Sequence, residues 1–183
     1  MNAVPSSVHI VVADLERSTE WYARTLRCPV VDRGSRWALL RFPNGTVVEL
    51  TAGDPAHPGL ADASHRAESA VPVIPGYAVE DPQAVAAGLQ IVRRFPDWIV
   101  VAAPAGLHVI LHHHDVDFGR GLLGFRYTSP DAPTQQALLS ALGSADPVIA
   151  GPTPSVVPII SSDRCERVTD PDGNPLELIT RRS

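Results

Sequence analysis

The side chains best suited to chemistry in this chain are histidines and glutamates on predicted strands. His9 lies inside an apolar strand, and Glu49 lies on the strand that follows the turn Pro43-Asn44-Gly45. Glu177 takes the same place, six residues beyond the proline of Pro171-Asp172-Gly173. Alternate residues of a strand share a face, so each glutamate has apolar neighbours, and burying it unpaired would be costly. A metal ion or an arginine would serve as its partner.

A third turn of the same kind carries histidines in place of the carboxylate. Pro104-Ala105-Gly106 leads over the same distance to Ile110, and His108 and His112 flank that isoleucine on one strand face. Histidine titrates near neutrality and is the commonest metal ligand, so the pattern indicates metal binding or acid–base catalysis. The alternatives are a hydrogen-bonded core histidine for His9 and a solvated loop for His113 and His114.

These turns have a defined chemistry and close longer patterns. Proline presets φ at the first corner of a tight turn, and glycine supplies the positive φ that closes it. Each turn follows a strand, a helix and further strands. Asp14 is the predicted cap of the first helix, and Asp81 with Pro82 begins the second. The third helix runs from Pro133 to a stop at Gly143.

The order of these elements divides the chain. Residues 1–118 hold two units, at 7–52 and 75–113, joined by a predicted loop or lid over 53–72 that is rich in Gly, Ala, Asp, Pro and His. Residues 119–183 hold the third unit.

Composition excludes several classes of function. The 183 residues suit one well-buried domain or two small ones, and a net charge of −5 argues against nucleic-acid partners. The chain has no lysine, which excludes Schiff-base and P-loop chemistry, and its two cysteines have no C-x-x-C spacing. Neither a signal peptide nor a membrane-length apolar run is visible, so we expect a cytoplasmic protein without a membrane partner.

Two segments carry a resemblance to a known family. Val8 to Leu15 with Trp21-Tyr22, and Asp170 to Leu178, resemble the repeating module of the vicinal oxygen chelate superfamily. This superfamily includes glyoxalase I, bleomycin-resistance, fosfomycin-resistance and extradiol dioxygenase proteins. The resemblance implies an α+β fold of repeated βαβββ modules, three of them recognisable here. It also implies curved mixed sheets around a cleft that holds one divalent metal ion.

The same resemblance implies a set of metal ligands. In the family they come from the first and last strands of each module, which gives His9, Glu49 and Glu177 as metal ligands here. The first-strand positions of the second and third units fall near Gly76 or Tyr77 and near Phe125, and neither supplies a histidine.

The histidines of the second unit offer a replacement. His9, one of His108 or His112, and Glu49 or Glu177 would form the two-histidine, one-carboxylate face typical of Fe(II) oxygenases. We therefore expect a divalent metal with Fe(II) as first choice, and manganese, zinc or nickel as alternatives.

The function implied is a metal-dependent enzyme that binds a small substrate through two adjacent oxygens. Extradiol cleavage of a small catechol, as in dioxygenases of the L-DOPA-cleaving type, is the leading hypothesis. A glyoxalase-like lyase or isomerase, with Glu49 or Glu177 as base, is one alternative. A metal-free antibiotic-binding protein of the bleomycin-resistance kind is another. Tyr77 and Trp98 are the predicted substrate-binding aromatics, with Trp21 and Trp37 as further candidates. Three modules cannot all pair within one chain, which favours a homodimer.

Overall fold

The computed structural model describes residues 3–54, 71–113 and 121–180, and these ranges are the part of the chain to which every structural statement refers. Most of the predicted lid over 53–72, together with His114, lies outside them. No helix within these ranges is long and apolar enough to cross a membrane.

The first unit contains four strands and one helix. Its elements are β1 (Val4–Val12), α1 (Leu15–Leu26), β2 (Val30–Arg33), β3 (Trp37–Arg41) and β4 (Val47–Ala52). The Asp14 carboxylate accepts a hydrogen bond from the Arg17 backbone N–H, which confirms the predicted helix cap. The helix ends at Arg27 in a left-handed conformation, and its buried face includes Tyr22 and Leu26.

The second unit repeats this order with a shorter helix. Its elements are β5 (Val73–Ala78), α2 (Pro82–Ala86), β6 (Ile91–Arg94), β7 (Trp98–Ala102) and β8 (His108–His112). Asp81 caps α2 through the backbone N–H groups of Gln83 and Ala84, and Pro82 opens the helix, as predicted.

The first two units together form one eight-stranded sheet. Its strand order is β2-β3-β4-β1-β5-β8-β7-β6. The first and last strands of each unit are parallel neighbours, and β1 and β5 are antiparallel neighbours at the centre. The two units are therefore related by a local two-fold axis. A residue pair in the β1–β4 ladder of the first unit has its equivalent in the β5–β8 ladder of the second unit.

Residues 121–180 form a second, five-stranded sheet. Its elements are β9 (Leu122–Ser129), α3 (Ala132–Leu142), β10 (Val148–Ala150), β11 (Ser155–Ser162), β12 (Glu166–Thr169) and β13 (Pro175–Thr180). Gly143 ends α3 in the left-handed region, as predicted. The strand order is β10-β9-β11-β13-β12.

The pairing in this second sheet differs from that in the first two units. The last strand, β13, is parallel to β11, whereas β9, the first strand of the predicted third unit, is parallel to β10. β9 and β11 are antiparallel at the centre, as β1 and β5 are in the first sheet. This sheet therefore has a paired centre within one chain, so the homodimer, which was inferred from an unpaired module, stays a prediction.

The two sheets pack against each other through a shared apolar core. β1 and β5 contact β9 and β11, and one buried cluster includes Ile10, Tyr77, Phe125 and Ile160. Hydrogen bonds cross this boundary as well, since the Tyr77 hydroxyl donates to Asp146 at 2.5 Å and bonds the Tyr127 hydroxyl at 2.8 Å. The architecture is α+β with two curved mixed sheets, which confirms the predicted fold class.

Alternation along the strands then decides which side chains reach the outer face of the first sheet. On β1, Val8 and Ile10 point into the core, so His9 points to the opposite side. On β4, Val48 and Leu50 are buried, which places Glu49 on the same outer face as His9.

Candidate functional site

The outer face of the eight-stranded sheet encloses a cleft of about 430 Å³, a volume in the range of small-molecule sites. It is lined by residues of both units: Ser7, His9, Asp32, Trp37, Leu39, Arg41, Val47, Glu49, Asp97, Trp98, Ile110, His112 and His113.

A histidine and a glutamate pair at the centre of this cleft. His9 and Glu49 are direct neighbours in the parallel β1–β4 ladder, and His9 Nδ1 lies 3.2 Å from Glu49 Oε2. Each side chain keeps 19% of its surface exposed. A carboxylate accepts only, so His9 Nδ1 is the side of this contact that can supply a proton. The structure thus brings together two of the three predicted metal ligands.

The equivalent positions of the second unit hold no ligand. Gly76 and Ile110 are neighbours in the parallel β5–β8 ladder, as His9 and Glu49 are in β1–β4. A Cβ on Gly76 would lie 1.9 Å from Ser7 Oγ, so the serine side chain already occupies the space that a ligand side chain would need. Ile110 is 3% exposed and belongs to an apolar cluster with Ile74.

His112 lies near this position but is engaged elsewhere. Its Nε2 is 2.7 Å from Ser6 Oγ and 3.3 Å from Ser7 Oγ. The Ser6 hydroxyl also lies 3.2 Å from the Gly76 carbonyl oxygen, so His112 Nε2 belongs to a hydrogen-bond network with Ser6 and Ser7 whose direction is set by the tautomer of the imidazole.

Within the described residues, the ligand positions of the module supply two metal-ligating side chains, His9 and Glu49. The four positions from which the module would supply ligands hold His9, Glu49, Gly76 and Ile110. Within the three described ranges, no three His, Cys, Asp or Glu side chains are grouped so that they could hold one ion. We derive no chemical step through a metal.

Two indoles occupy equivalent positions of the two units. Trp37 opens β3 and pairs with Thr51, two residues past Glu49, while Trp98 opens β7 and pairs with His112, two residues past Ile110. Both line the cleft, and the strand order puts β3 and β7 on opposite sides of the central β1–β5 pair. The indoles therefore belong to opposite walls.

The Trp98 wall is supported from behind. The ring of Phe95 stacks on Trp98 with centroids 3.7 Å apart and planes 11° apart, which fixes the indole. The imidazole of His9 lies 6.4 Å from the Trp98 ring, so this wall and the His9–Glu49 pair border the same space.

Glu177 lies in the other sheet and does not join this pair. Its Oε2 accepts a hydrogen bond from Arg126 Nη2 at 2.7 Å. In the β11–β13 ladder Glu177 pairs with Ile159, which is therefore the counterpart of His9. In the β9–β11 ladder Arg126 pairs with Val157, which makes Arg126 the counterpart of Gly76. The first-strand ligand position was expected near Phe125. In the second sheet the two positions of this kind are Ile159 on β11 and Arg126 on β9. The partner of Glu177 is an arginine, the second of the two possibilities that the sequence left open.

Two further predicted site residues lie away from the cleft. Tyr77 is fully buried between the sheets, so its ring cannot contact a ligand in the cleft. It occupies the opposite face of β5 from Gly76, because neighbouring strand residues alternate. His108 is 7% exposed and does not line the cleft, which separates it from His112.

The sequence reasoning missed Ser7, which lines the cleft, and Arg126, which is the partner of Glu177 in the second sheet. Ser7 is two residues before His9, so alternation alone would have assigned it to the same face. Arg126 had no such signal, because its contact depends on which strands pair in the second sheet.

The comparisons with known proteins agree with this architecture. No family model matches the chain, and no curated protein sequence does. The solved structure of homoprotocatechuate 2,3-dioxygenase from Arthrobacter globiformis matches 98% of this chain and 80% of its own, with a TM-score of 0.73 and 19% identity. The enzyme from Brevibacterium fuscum, in its anaerobic complex with 3,4-dihydroxyphenylacetate, matches 100% of this chain and 82% of its own, with a TM-score of 0.73 and 17% identity. At this identity the likeness concerns the fold, and the chain has the vicinal oxygen chelate fold that these dioxygenases share.

Proposed function

We propose that the cleft binds a small planar aromatic molecule and that binding does not use a metal held by the module's ligand positions. The observation that carries this proposal is the pair of indoles, Trp37 and Trp98, at equivalent positions on opposite walls of one cleft. Aromatic rings gain about 0.5–1.5 kcal/mol per stacked pair beyond the burial of their surface, so an indole on either wall favours a flat aromatic ligand.

The polarity and charge of the residues that line the cleft indicate which aromatic ligands it favours. His9 supplies a polar imidazole within reach of a ligand hydroxyl or amine, while Ile110 supplies apolar contact. Among the lining residues within the described ranges, the carboxylates Asp32, Glu49 and Asp97 outnumber the one guanidinium, Arg41. A neutral or cationic aromatic molecule is therefore favoured over an anionic one.

Tryptophan fluorescence provides the test, because the chain has only three tryptophans. We expect small hydroxylated aromatics to quench the emission of Trp37 and Trp98 on titration. Replacing either by Ala should weaken binding about tenfold, which corresponds to ~1.4 kcal/mol. Trp21→Phe is the matched control, since Trp21 lies on α1 outside the cleft. Equal affinities in all three variants would contradict the proposal.

A second candidate is extradiol ring cleavage with Fe(II), and the likeness in fold to homoprotocatechuate 2,3-dioxygenases favours it. This function needs a third ligand in addition to His9 and Glu49. Metal analysis of protein purified without chelator separates the candidates, together with thermal unfolding after addition of iron, manganese, zinc or nickel. Stoichiometric metal that stabilises the fold, with oxygen uptake on a panel of catechols, would favour the dioxygenase. Stoichiometric metal without oxygen uptake would favour a glyoxalase-like lyase or isomerase.

The homodimer and the cytoplasmic location belong to the proposal as well. Light scattering decides the first, since a monodisperse monomer would exclude the dimer.

A further inference from the structure

We infer that a second groove, away from the cleft, binds a small aromatic molecule that carries a carboxylate or phosphate group. This helix–turn groove has a volume of about 470 Å³ and is lined by one face of α1 and by residues 169–171, where β12 turns towards β13. α1 packs against the core side of the first sheet, whereas the cleft lies on the outer face. The two sites are therefore separate.

Hydrogen bonds hold the two walls of the helix–turn groove together. On α1, the Tyr22 hydroxyl donates to Asp170 Oδ2 at 2.7 Å, and the Ser18 hydroxyl donates to Asp172 Oδ2 at 3.1 Å. Asp170 also accepts from the backbone N–H groups of Asp172 and Asn174, at 2.9 and 2.8 Å. The spacing of the walls is thus set before a ligand arrives, which lowers the cost of ordering the site on binding.

The helix wall presents two guanidinium groups without a carboxylate partner. Arg17 and Arg24 both line the groove, and neither forms an ion pair with a residue of the described ranges. Asp170 also lines it, but this carboxylate is 5% exposed and is engaged by the Tyr22 hydroxyl and by its own turn. Two guanidinium groups then face one exposed carboxylate, that of Glu20, and this balance favours an anionic ligand.

An indole lies between the two guanidinium groups. Trp21 follows Arg17 by four residues and precedes Arg24 by three, so all three share one face of α1, and the arginines are about 10.5 Å apart along the axis. The Trp21 ring is half-buried and is held edge-on by Tyr22, with ring centroids 4.9 Å apart and planes 77° apart.

These groups together define the class of ligand. A flat ring gains from contact with an indole, and a guanidinium binds a carboxylate or a phosphate through two parallel hydrogen bonds. An aromatic molecule with one or two such anionic groups suits an indole flanked by two arginines. The cleft has the opposite charge balance, so the two sites select different ligands.

Tryptophan fluorescence can test this site alone. The chain has three tryptophans, so a variant with Trp37→Phe and Trp98→Phe leaves Trp21 as the one reporter. We expect terephthalate or phenyl phosphate to quench its emission on titration, and the tighter of the two identifies the preferred anionic group. Terephthalamide, the neutral analogue of terephthalate, should bind at least about tenfold more weakly. Calorimetric titration of both anions into the wild-type protein checks that the double variant has kept the groove intact.

Substitutions on the helix wall test the role of each charge. Arg17→Gln and Arg24→Gln should each weaken binding of the preferred anion about tenfold, or ~1.4 kcal/mol, and the loss should shrink at high salt. Glu20→Gln removes a like charge and should tighten binding up to about threefold, a gain that a purely structural role would not produce. Arg164→Gln is the matched control, because this exposed guanidinium pairs with Glu166 outside the groove.

The possible results distinguish this inference from the proposed function. Equal affinities for terephthalate and terephthalamide, or affinities that Arg17→Gln and Arg24→Gln leave unchanged, would overturn the anion site. The absence of both quenching and heat with either anion would overturn it as well. None of these results bears on the cleft, because the cleft is tested through Trp37 and Trp98 with neutral or cationic aromatic ligands.

Discussion

Replacing Gly76 by Ala should destabilise the protein by a steric conflict inside the cleft floor. A Cβ at this position would lie 1.9 Å from Ser7 Oγ and 3.2 Å from Ser7 Cβ, and real Cβ atoms keep at least about 3.0 Å. Both strands belong to the centre of the sheet, so neither can move without disturbing its other neighbour. Overpacking of this kind costs about 1–3 kcal/mol, or a fall in Tm of about 2–4 °C per kcal/mol for a chain of this length.

Urea denaturation of a double-mutant cycle measures this effect. Ser7→Gly removes the atoms that conflict, so Gly76→Ala should cost much less in that background, with a coupling free energy of about 1–2 kcal/mol. Gly88→Ala is the matched control, because nothing lies within 4 Å of a Cβ built at Gly88. A cost that is the same with and without Ser7 would refute the reading that the serine fills the ligand position of the second unit.

Three further predictions concern the packing of the sheets. Burial raises the pKa of Asp146, and a raised carboxyl pKa adds stability that is fully present at acid pH and lost as the pH rises through the folded value. Asp146→Asn should therefore flatten the fall in the free energy of unfolding that follows as the pH rises above the ordinary pKa of a carboxyl group, measured by urea titration at several pH values. Tyr22→Phe removes a buried 2.7 Å hydrogen bond to Asp170 and should cost about 2 kcal/mol in the same assay. Arg126→Met breaks a part-exposed ion pair and should cost no more than about 1 kcal/mol, less at high salt; a larger, salt-independent loss would contradict this.

Features of the fold that depend on local chemistry could be predicted from the sequence. The caps at Asp14 and Asp81 follow from short side chains that accept backbone N–H groups, and these contacts lie within a few residues. The placement of His9 and Glu49 on one face follows from strand alternation, together with equal spacing from a recurring turn. Both inferences need no knowledge of the tertiary structure.

Features that depend on strand pairing could not be predicted in the same way. Tyr77 and Gly76 are neighbours, and a shift of one residue exchanges the core face for the cleft face. From the sequence, either residue could occupy the first-strand ligand position of the second unit. The pairing of Gly76 with Ile110 in the β5–β8 ladder assigns this position to Gly76. Glu177 faced a similar ambiguity, because its neighbours depend on the pairing of β13 with β11.

The two sheets keep a carboxylate at the same ladder position but give it different partners. In the second sheet, Glu177 Oε2 accepts a hydrogen bond from Arg126 Nη2 at 2.7 Å, so a permanent cation balances its charge. In the first sheet, Glu49 Oε2 lies 3.2 Å from His9 Nδ1, and both side chains line the cleft together with Trp37 and Trp98. Exchanging His9 for Arg should reproduce the ion pair of the second sheet in the first one, and aromatic ligands should then bind the cleft more weakly because the longer side chain fills part of it. Titration of the Trp37 and Trp98 fluorescence measures this effect, and an unchanged affinity would contradict the assignment of His9 to the ligand-binding surface.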